Sequence, residues 1–227
     1  LFPYTTLFRS RHADGELFWH IAHGMRDAQG VATMPAFANR LSDNDIWAVL
    51  DYMKVLAASG GVRAGGWPLP VALPALSVRC GDAAPEPLNA WRDRQRVRVV
   101  AIDAASAEQV PFEDPRFQTL LVTPDGTLPS PALPMRARCV VSGRDAWPIF
   151  AALAGSTPQT FSGTQLLADR NGWLRARGEP GTTWSDADFL CTSASRASET
   201  PRAAGLDTLI ARMDTEPVRY VKGGFIH

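Results

Sequence analysis

Met34 has the setting that most clearly suggests chemistry, because it begins the tetrapeptide MPAF at residues 34–37. A methionine thioether is a soft, neutral donor that can bind a metal. Methionines also fill irregular gaps in protein cores, and this is the alternative role for Met34. The elements on either side of the tetrapeptide therefore decide how Met34 is interpreted.

The three cysteines, Cys80, Cys139 and Cys191, are the next candidates. They lie far apart and are odd in number, so at most one internal disulfide can form, and no CxxC or metal-type spacing occurs among them. Cys80 is kept as a candidate lone peroxidatic or metal-binding thiol. Cys139 lies in an apolar segment and is interpreted as a small core residue. The sequence around Cys191 indicates no role.

Histidines supply the remaining candidate ligands. His20 and His23 lie three residues apart and can face one side of a helix, and a surface or packing role is predicted for both. His227, the last residue, is interpreted as an ordinary exposed end.

Two predicted helices position the tetrapeptide. Residues 16–23 carry an apolar face and are ended by Gly24, and a polar loop then leads into MPAF. Ser42 is predicted as the N-cap of a second helix, with acidic residues in its first turn. Apolar residues repeat at helical spacing as far as Leu56, and the glycines at residues 60–61 are expected to close the segment.

This order resembles the C-terminal half of a class I cytochrome c. The corresponding segments are residues 17–24, 34–37 and 42–56, with DYMK at residues 51–54. The resemblance implies that the Met34 sulfur is the distal axial ligand of haem iron and that Pro35 holds the ligand loop. It also implies that Phe37, Trp47 and Tyr52 line the haem edge. A thioether ligand favours ferrous iron and so raises the reduction potential.

The chain departs from this family in one respect that affects its chemistry. The family carries CxxCH, which supplies two thioether bonds and the proximal histidine, and no CxxCH occurs in these 227 residues. The chain as written is therefore not expected to attach haem covalently. The resemblance assigns haem c to a longer parent protein.

The remainder of the sequence predicts an α/β domain. Residues 60–75 are rich in glycine and proline and are interpreted as a linker, anchored to a neighbouring domain by Trp67. The Asn-Gly pair at residues 171–172 is a strong hairpin signal. The other predicted elements are strands at 75–79, 97–102, 117–122 and 138–141 and helices at 86–94, 145–153 and 206–213.

A βαβ unit followed by a helix, a hairpin and a terminal helix is the element order of a thioredoxin-like fold. Residues 166–175, LLADRNGWLR, resemble the hairpin of that family. Dithiol exchange in the family normally uses CxxC after the first strand, and residues 80–83 are predicted to hold that place with the single thiol of Cys80. Family members also carry a cis-proline before the hairpin strand, where this chain has Gly163.

Together the two halves resemble the C-terminal region of proteobacterial copper-resistance D-type membrane proteins that carry a cytochrome c domain. This resemblance implies a periplasmic redox partner, a membrane domain and CxxCH upstream in the parent, a location at the periplasmic face of the inner membrane, and a link to copper handling. Nucleic acid is not an expected partner, because 23 basic and 23 acidic residues leave no net charge. No apolar run in the sequence is long enough to span a bilayer.

The predicted fold class is mixed: a partial all-α cytochrome c-like segment at residues 11–59, the linker, and a thioredoxin-like α/β domain at residues 76–227. Residues 1–10, LFPYTTLFRS, resemble a translated sequencing adapter, with a native apolar strand as the alternative. Electron transfer through haem c is the first hypothesis, with no complete enzymatic site. A non-catalytic thioredoxin-like interaction or metal-handling module is the alternative, and a single-cysteine thiol oxidoreductase using Cys80 is the second alternative.

Overall fold

The computed structural model of the protein describes residues 13–67, 70–91, 94–107, 113–127, 139–190 and 205–218. The chain divides into two compact units, with the boundary between Ala57 and Ala58. The expectations for residues 1–10, Cys191 and His227 concern positions outside the described residues. No helix within the described ranges combines the length and the apolar character needed to cross a bilayer.

The two helices that the sequence predicted both begin in the first unit, and the second of them continues past its boundary. They are α1 (Asp14–His23) and α2 (Asp43–Arg63), and between them a short antiparallel ribbon pairs β1 (Met25–Arg26) with β2 (Ala32–Met34). The ribbon was not predicted, so the segment expected to be all-α also contains two strands. Helix α2 continues through Gly60 and Gly61, where the sequence analysis placed its end.

Helix α2 begins at the cap that the sequence predicted. The Ser42 hydroxyl oxygen accepts a hydrogen bond from the Asp45 N–H at 3.2 Å, and the Asp45 carboxylate accepts one from the Ser42 N–H at 3.0 Å. This reciprocal arrangement satisfies two backbone donors that a helix start leaves open. Hydrogen bonding by Ser42 holds the pKa of Asp45 below its ordinary value.

An eight-stranded mixed sheet forms the centre of the second unit, in the spatial order β3-β10-β9-β6-β7-β8-β4-β5. The central strand β6 is buried at all six positions, as expected for a strand covered on both faces. The strands are β3 (Val71–Ala72), β4 (Ser77–Cys80), β5 (Glu86–Pro87), β6 (Arg96–Ala101), β7 (Phe117–Val122), β8 (Cys139–Ser142), β9 (Gln165–Ala168) and β10 (Trp173–Gly178).

The parallel strands of this sheet are not the ones predicted. Strands β6 and β7 run parallel, as do β7 and β8, whereas β4 pairs antiparallel with β8 and β5. The predicted helix at 86–94 is wrong, because its place is taken by β5 and a 3₁₀ helix, Leu88–Trp91. The first βαβ unit of the sequence analysis is therefore absent from this part of the structure.

The later elements follow the prediction. Helix α3 (Ala146–Leu153) precedes the β9–β10 hairpin, and helix α4 (Leu206–Thr215) comes last. The core between the sheet and α4 consists of Phe117, Leu167, Ala176, Phe189, Leu209, Ile210 and Met213.

The predicted linker is partly built into the second unit. Its residues Val71 and Ala72 form strand β3, which pairs with β10 at the edge of the sheet. The buried Trp67 donates a hydrogen bond from Nε1 to the Leu153 carbonyl oxygen at 3.0 Å. The expectation that Trp67 anchors this segment is confirmed.

Candidate functional site

The loop that carries Met34 lies against the C-terminal end of helix α1. Gly24 follows this helix with φ +76°, and a β-carbon there would lie 2.5 Å from the Met34 carbonyl oxygen and 2.9 Å from the Ala36 nitrogen. Both the positive φ and the close approach require glycine. Met25 of β1 pairs with Met34 of β2, which fixes the other side of the loop.

Two backbone hydrogen bonds hold the loop to the helix. The Phe37 N–H donates to the Ile21 carbonyl oxygen and the Ala38 N–H donates to the Ala22 carbonyl oxygen, each at 3.1 Å. These carbonyls belong to the last turn of α1, where a helix has no partners of its own. The methionine loop therefore supplies hydrogen-bond donors for two carbonyl oxygens at the end of the helix.

Met34 lines a cavity of about 250 Å³ within the first unit. The surface that lines it is entirely apolar, so a bound group there would meet hydrocarbon and the side chains of two methionines, Met34 and Met53. The lining residues are Leu17, His20, Ile21, Met34, Phe37, Leu41, Val49, Leu50 and Met53.

The predicted haem-edge residues divide between the cavity and the surface. Phe37 lines the cavity with Met34, whereas Trp47 and Tyr52 are 41% and 62% exposed and do not line it. Trp47 instead stacks on Phe18, with ring centroids 4.8 Å apart. Pro35 is exposed beside the cavity residues.

The two histidines of α1 also differ in position. His20 lines the cavity, a role that the sequence analysis did not give it. His23 stacks on the exposed Trp19 at 4.7 Å between ring centroids, so the surface role predicted for it agrees with the structure.

In the second unit, Cys80 and Cys139 form a disulfide with an S–S distance of 2.00 Å. The two residues lie directly opposite each other on the antiparallel strands β4 and β8. The interpretation of Cys80 as a lone thiol is therefore wrong, whereas Cys139 is buried in the core as expected and is also bonded to Cys80. Spacing could not reveal the pair, because 59 residues separate the two cysteines and only the folded sheet brings them together.

A polar cluster that the sequence analysis missed follows the carboxyl end of β6. The Ser106 hydroxyl lies 2.9 Å from the Asp103 carboxylate and 2.7 Å from the Ser162 hydroxyl. Strand β6 has the parallel strand β7 on one side and the antiparallel hairpin strand β9 on the other. Asp103, rather than Cys80, comes after the first strand of the parallel pair.

Hydrogen bonding keeps Asp103 ionised. Partial burial by itself raises the pKa of this carboxyl, but hydrogen bonds from the Ser106 and Ser162 hydroxyls and from the backbone N–H groups of Ser106 and Ala105 outweigh burial, so the pKa lies below its ordinary value. An anionic carboxylate of this kind is a weak general base at neutral pH. The cluster therefore contains one carboxylate and two hydroxyl groups but no thiol.

The hairpin signature that suggested the thioredoxin-like resemblance has a structural role. Arg175 is 1% exposed and its guanidinium donates to the Asp169 carboxylate at 2.9 Å. Asp169 also accepts hydrogen bonds from the Asn171 and Trp173 N–H groups, each at 3.0 Å. The Asp169 carboxylate and the Arg175 guanidinium therefore connect the turn of the hairpin to strand β10.

Within the described residues, no group of three or more His, Cys, Asp or Glu side chains could hold a metal ion.

Comparisons with known proteins add little to this geometry. No protein-family model matches the chain, and no curated protein matches it. Among solved structures, the mitochondrial 2-Cys peroxiredoxin from Plasmodium falciparum is similar to it at 11% sequence identity and a TM-score of 0.36, over 66% of this chain and 95% of that chain. A likeness of that size carries no argument about function.

Proposed function

We propose that the first unit is the methionine side of a haem c site and that the chain is part of an electron-transfer protein. The observation that carries the proposal is the position of Met34 in the lining of an apolar cavity, on a loop held by the end of helix α1. In the parent implied by the resemblance, this site passes electrons to a periplasmic redox partner at the inner membrane. The copper connection follows from the resemblance alone.

The residues present fit one side of a haem. The thioether of Met34 suits haem iron, and the apolar side chains around it suit the macrocycle. The cavity volume of about 250 Å³ is below the roughly 300–1,000 Å³ usual for ligand pockets, so it admits part of a macrocycle only. When bound, haem iron supplies one-electron transfer, and the chain contributes an apolar wall and the orientation of the Met34 sulfur.

Haem titration of the purified chain tests this proposal. We expect haem to produce a Soret shift, and Met34→Ala to change the position of that shift and weaken haem affinity, because Met34 lines the cavity. Met25→Ala is the matched control, since Met25 pairs with Met34 on the same ribbon but does not line the cavity. The absence of a Soret shift, or equal effects of the two substitutions, would contradict the proposal.

A second candidate function concerns the larger unit, which we infer to be a thioredoxin-like interaction module whose usual dithiol position is not catalytic. The parallel pair β6–β7, helix α3, the β9–β10 hairpin and helix α4 follow the element order expected of that fold. In this alignment of elements the dithiol position is residues 103–106, where Asp103 and Ser106 stand in place of the two thiols.

Restoring the thiols tests the second candidate. In a chain with Cys80, Cys139 and Cys191 changed to Ser, the double substitution Asp103→Cys and Ser106→Cys is expected to create disulfide-reductase activity toward insulin. The two side chains already touch at 2.9 Å, so the introduced thiols lie within reach of each other. The cysteine-free chain is the control. A folded double variant with no more activity than this control would contradict the thioredoxin-like assignment.

A further inference from the structure

We propose that the Cys80–Cys139 disulfide is a dithiol–disulfide exchange site, with Cys80 as the sulfur that an incoming dithiol attacks and Cys139 as the leaving sulfur. The proposal is independent of the haem site and of the residues 103–106. It rests on the unequal surroundings of the two sulfurs, which lie on neighbouring strands of one sheet.

The two cysteines differ in exposure. Cys80 is partly exposed, whereas Cys139 is 5% exposed. A thiolate attacks a disulfide at the sulfur that it can reach, along the line of the S–S bond. Access therefore favours Cys80.

The sheet also leaves the approach to Cys80 open. Strand β5 pairs with β4 only at Ser77 and Val78, so it ends before it reaches Cys80. The turn that follows, residues 81–85, is exposed throughout, and a β-carbon placed on Gly81 would meet nothing within 4 Å. Among the residues that the structure describes, none of β5 or of the turn at 81–85 covers the side of β4 that faces away from Cys139, which is where an attacking thiolate must arrive.

A hydrogen-bond donor stands beside the other sulfur. Gln118 lies on β7, on the opposite side of β8 from β4, and its side-chain Nε2 donates to the Cys139 sulfur at 3.4 Å. Hydrogen bonding to an anionic sulfur favours the thiolate over the thiol, and a more stable thiolate leaves faster. The two cysteines thus differ in two respects: Cys80 is the more exposed residue, and the Cys139 sulfur has a hydrogen-bond donor that would stabilise its thiolate.

The exchange balances as a two-electron transfer from the dithiol to the cystine. The first thiolate of the dithiol bonds to the Cys80 sulfur, the S–S bond breaks, and its electron pair goes to the Cys139 sulfur, which takes a proton from solvent. The second thiol of the reductant then loses its proton to solvent and attacks the reductant's first sulfur in the mixed disulfide. This releases Cys80 as a thiolate, which takes a proton from solvent. The reductant leaves as a disulfide, and the protein keeps two thiols.

Trapping the intermediate tests which sulfur is attacked. In a Cys191→Ser chain, which removes the third thiol, brief treatment of the folded protein with glutathione should leave a glutathione adduct on Cys80 and a free thiol on Cys139. Peptide mass spectrometry after alkylation distinguishes the two positions. An adduct on Cys139, or an equal division between the sulfurs, would overturn the assignment of roles.

The Gln118→Met substitution tests the leaving group, because methionine keeps the length of the side chain and removes its donor. Reduction of the folded variant by dithiothreitol should be about fivefold slower, the rate equivalent of one hydrogen bond. The same two proteins in strong urea should be reduced at equal rates, since the contact is then absent. Equal rates in the folded state would overturn the role of Gln118.

The urea dependence separates an exchange site from a purely structural disulfide. Reduction at an accessible cystine should be nearly independent of urea at concentrations that leave the protein folded. Reduction that depends on opening of the sheet should accelerate steeply with urea, because opening exposes new surface. A steep dependence, or resistance to dithiothreitol until the protein unfolds, would overturn the proposal. Haem binding at Met34 is measured separately, so either proposal can fail alone.

Discussion

Arg175 and Arg177 lie two residues apart on strand β10 and pair with different carboxylates. Arg175 and Asp169 have side-chain exposures of 1% and 7%, whereas Glu179, the partner of Arg177, is 52% exposed. Breaking a buried ion pair leaves an uncompensated charge, so Arg175→Met should lower the free energy of unfolding by about 3–5 kcal/mol. Arg177→Met should lower it by about 1 kcal/mol or less. Urea denaturation measures both, and equal losses would contradict the structural role given to the hairpin signature.

The residues that the sequence analysis missed share one physical property: their roles depend on distant partners. Arginine is seldom fully buried, so nothing in the local sequence marks Arg175 as a core residue. Three cysteines allow three different single disulfides, and the choice of Cys80 with Cys139 follows from the pairing of β4 with β8. The prediction for Met34, by contrast, rests on a local signal, a tetrapeptide between two helices.

At the scale of elements, the junction between helix α1 and the methionine loop depends on Gly24. Gly24→Ala should displace the loop, because the new β-carbon would meet the backbone of residues 34–36 within 3.0 Å. Gly30→Ala is the matched control: its φ of +82° resembles the +76° of Gly24, but a β-carbon there meets nothing within 4 Å. We expect Gly24→Ala to be more destabilising by about 1–3 kcal/mol, the usual range for overpacking.

Circular dichroism with urea measures this difference in the free energy of unfolding, and haem titration measures its effect on the cavity. Similar losses for the two variants would mean that the positive φ alone, and not the contact with the loop, explains the cost.

The observed element boundaries agree with the predicted ones where the sequence signal is local. They differ where tertiary packing determines which element forms. The Ser42 cap and the hairpin at residues 165–178 formed as predicted, because their signals are single residues and turns. The predicted α-helix at 86–94 did not form. Leu88 and Trp91 are three residues apart and both are buried, and a 3₁₀ helix places residues at this spacing on one side as well as an α-helix does. Helix α2 did not stop at residues 60–61, since glycine inside a helix costs only about 1 kcal/mol each.

For the whole molecule, the structure divides after Ala57 and assigns the described part of residues 60–75, predicted as a linker, to the second unit. The sequence predicted that segment only from its glycine and proline content. It could not predict the strand order, because each pairing depends on residues far apart in the chain. The parallel pair β6–β7 is one example: its strands are recognisable as apolar runs, but their neighbours are not. Under the proposed thioredoxin-like alignment, the dithiol position therefore lies at residues 103–106 rather than at the predicted residues 80–83.

The disulfide between Cys80 and Cys139 should increase the free energy of unfolding of the whole second unit. It closes a loop over a sequence separation of 59 residues, which includes the central strands β6 and β7. Closing a loop of this size removes conformational entropy from the unfolded chain, worth about 4 kcal/mol at 25 °C. Changing both cysteines to Ser should therefore lower the free energy of unfolding by about that amount.

Urea denaturation of the double variant, with Cys191→Ser as control, measures the loss. Complete reduction of the unsubstituted chain should produce the same loss, because either change opens the same loop. A domain of ordinary stability has about 5–15 kcal/mol, so the reduced protein should remain folded with a clearly lower midpoint. A loss below about 1 kcal/mol would show that the cross-link does not restrict the unfolded chain, and the disulfide would then have a chemical role without a large structural one.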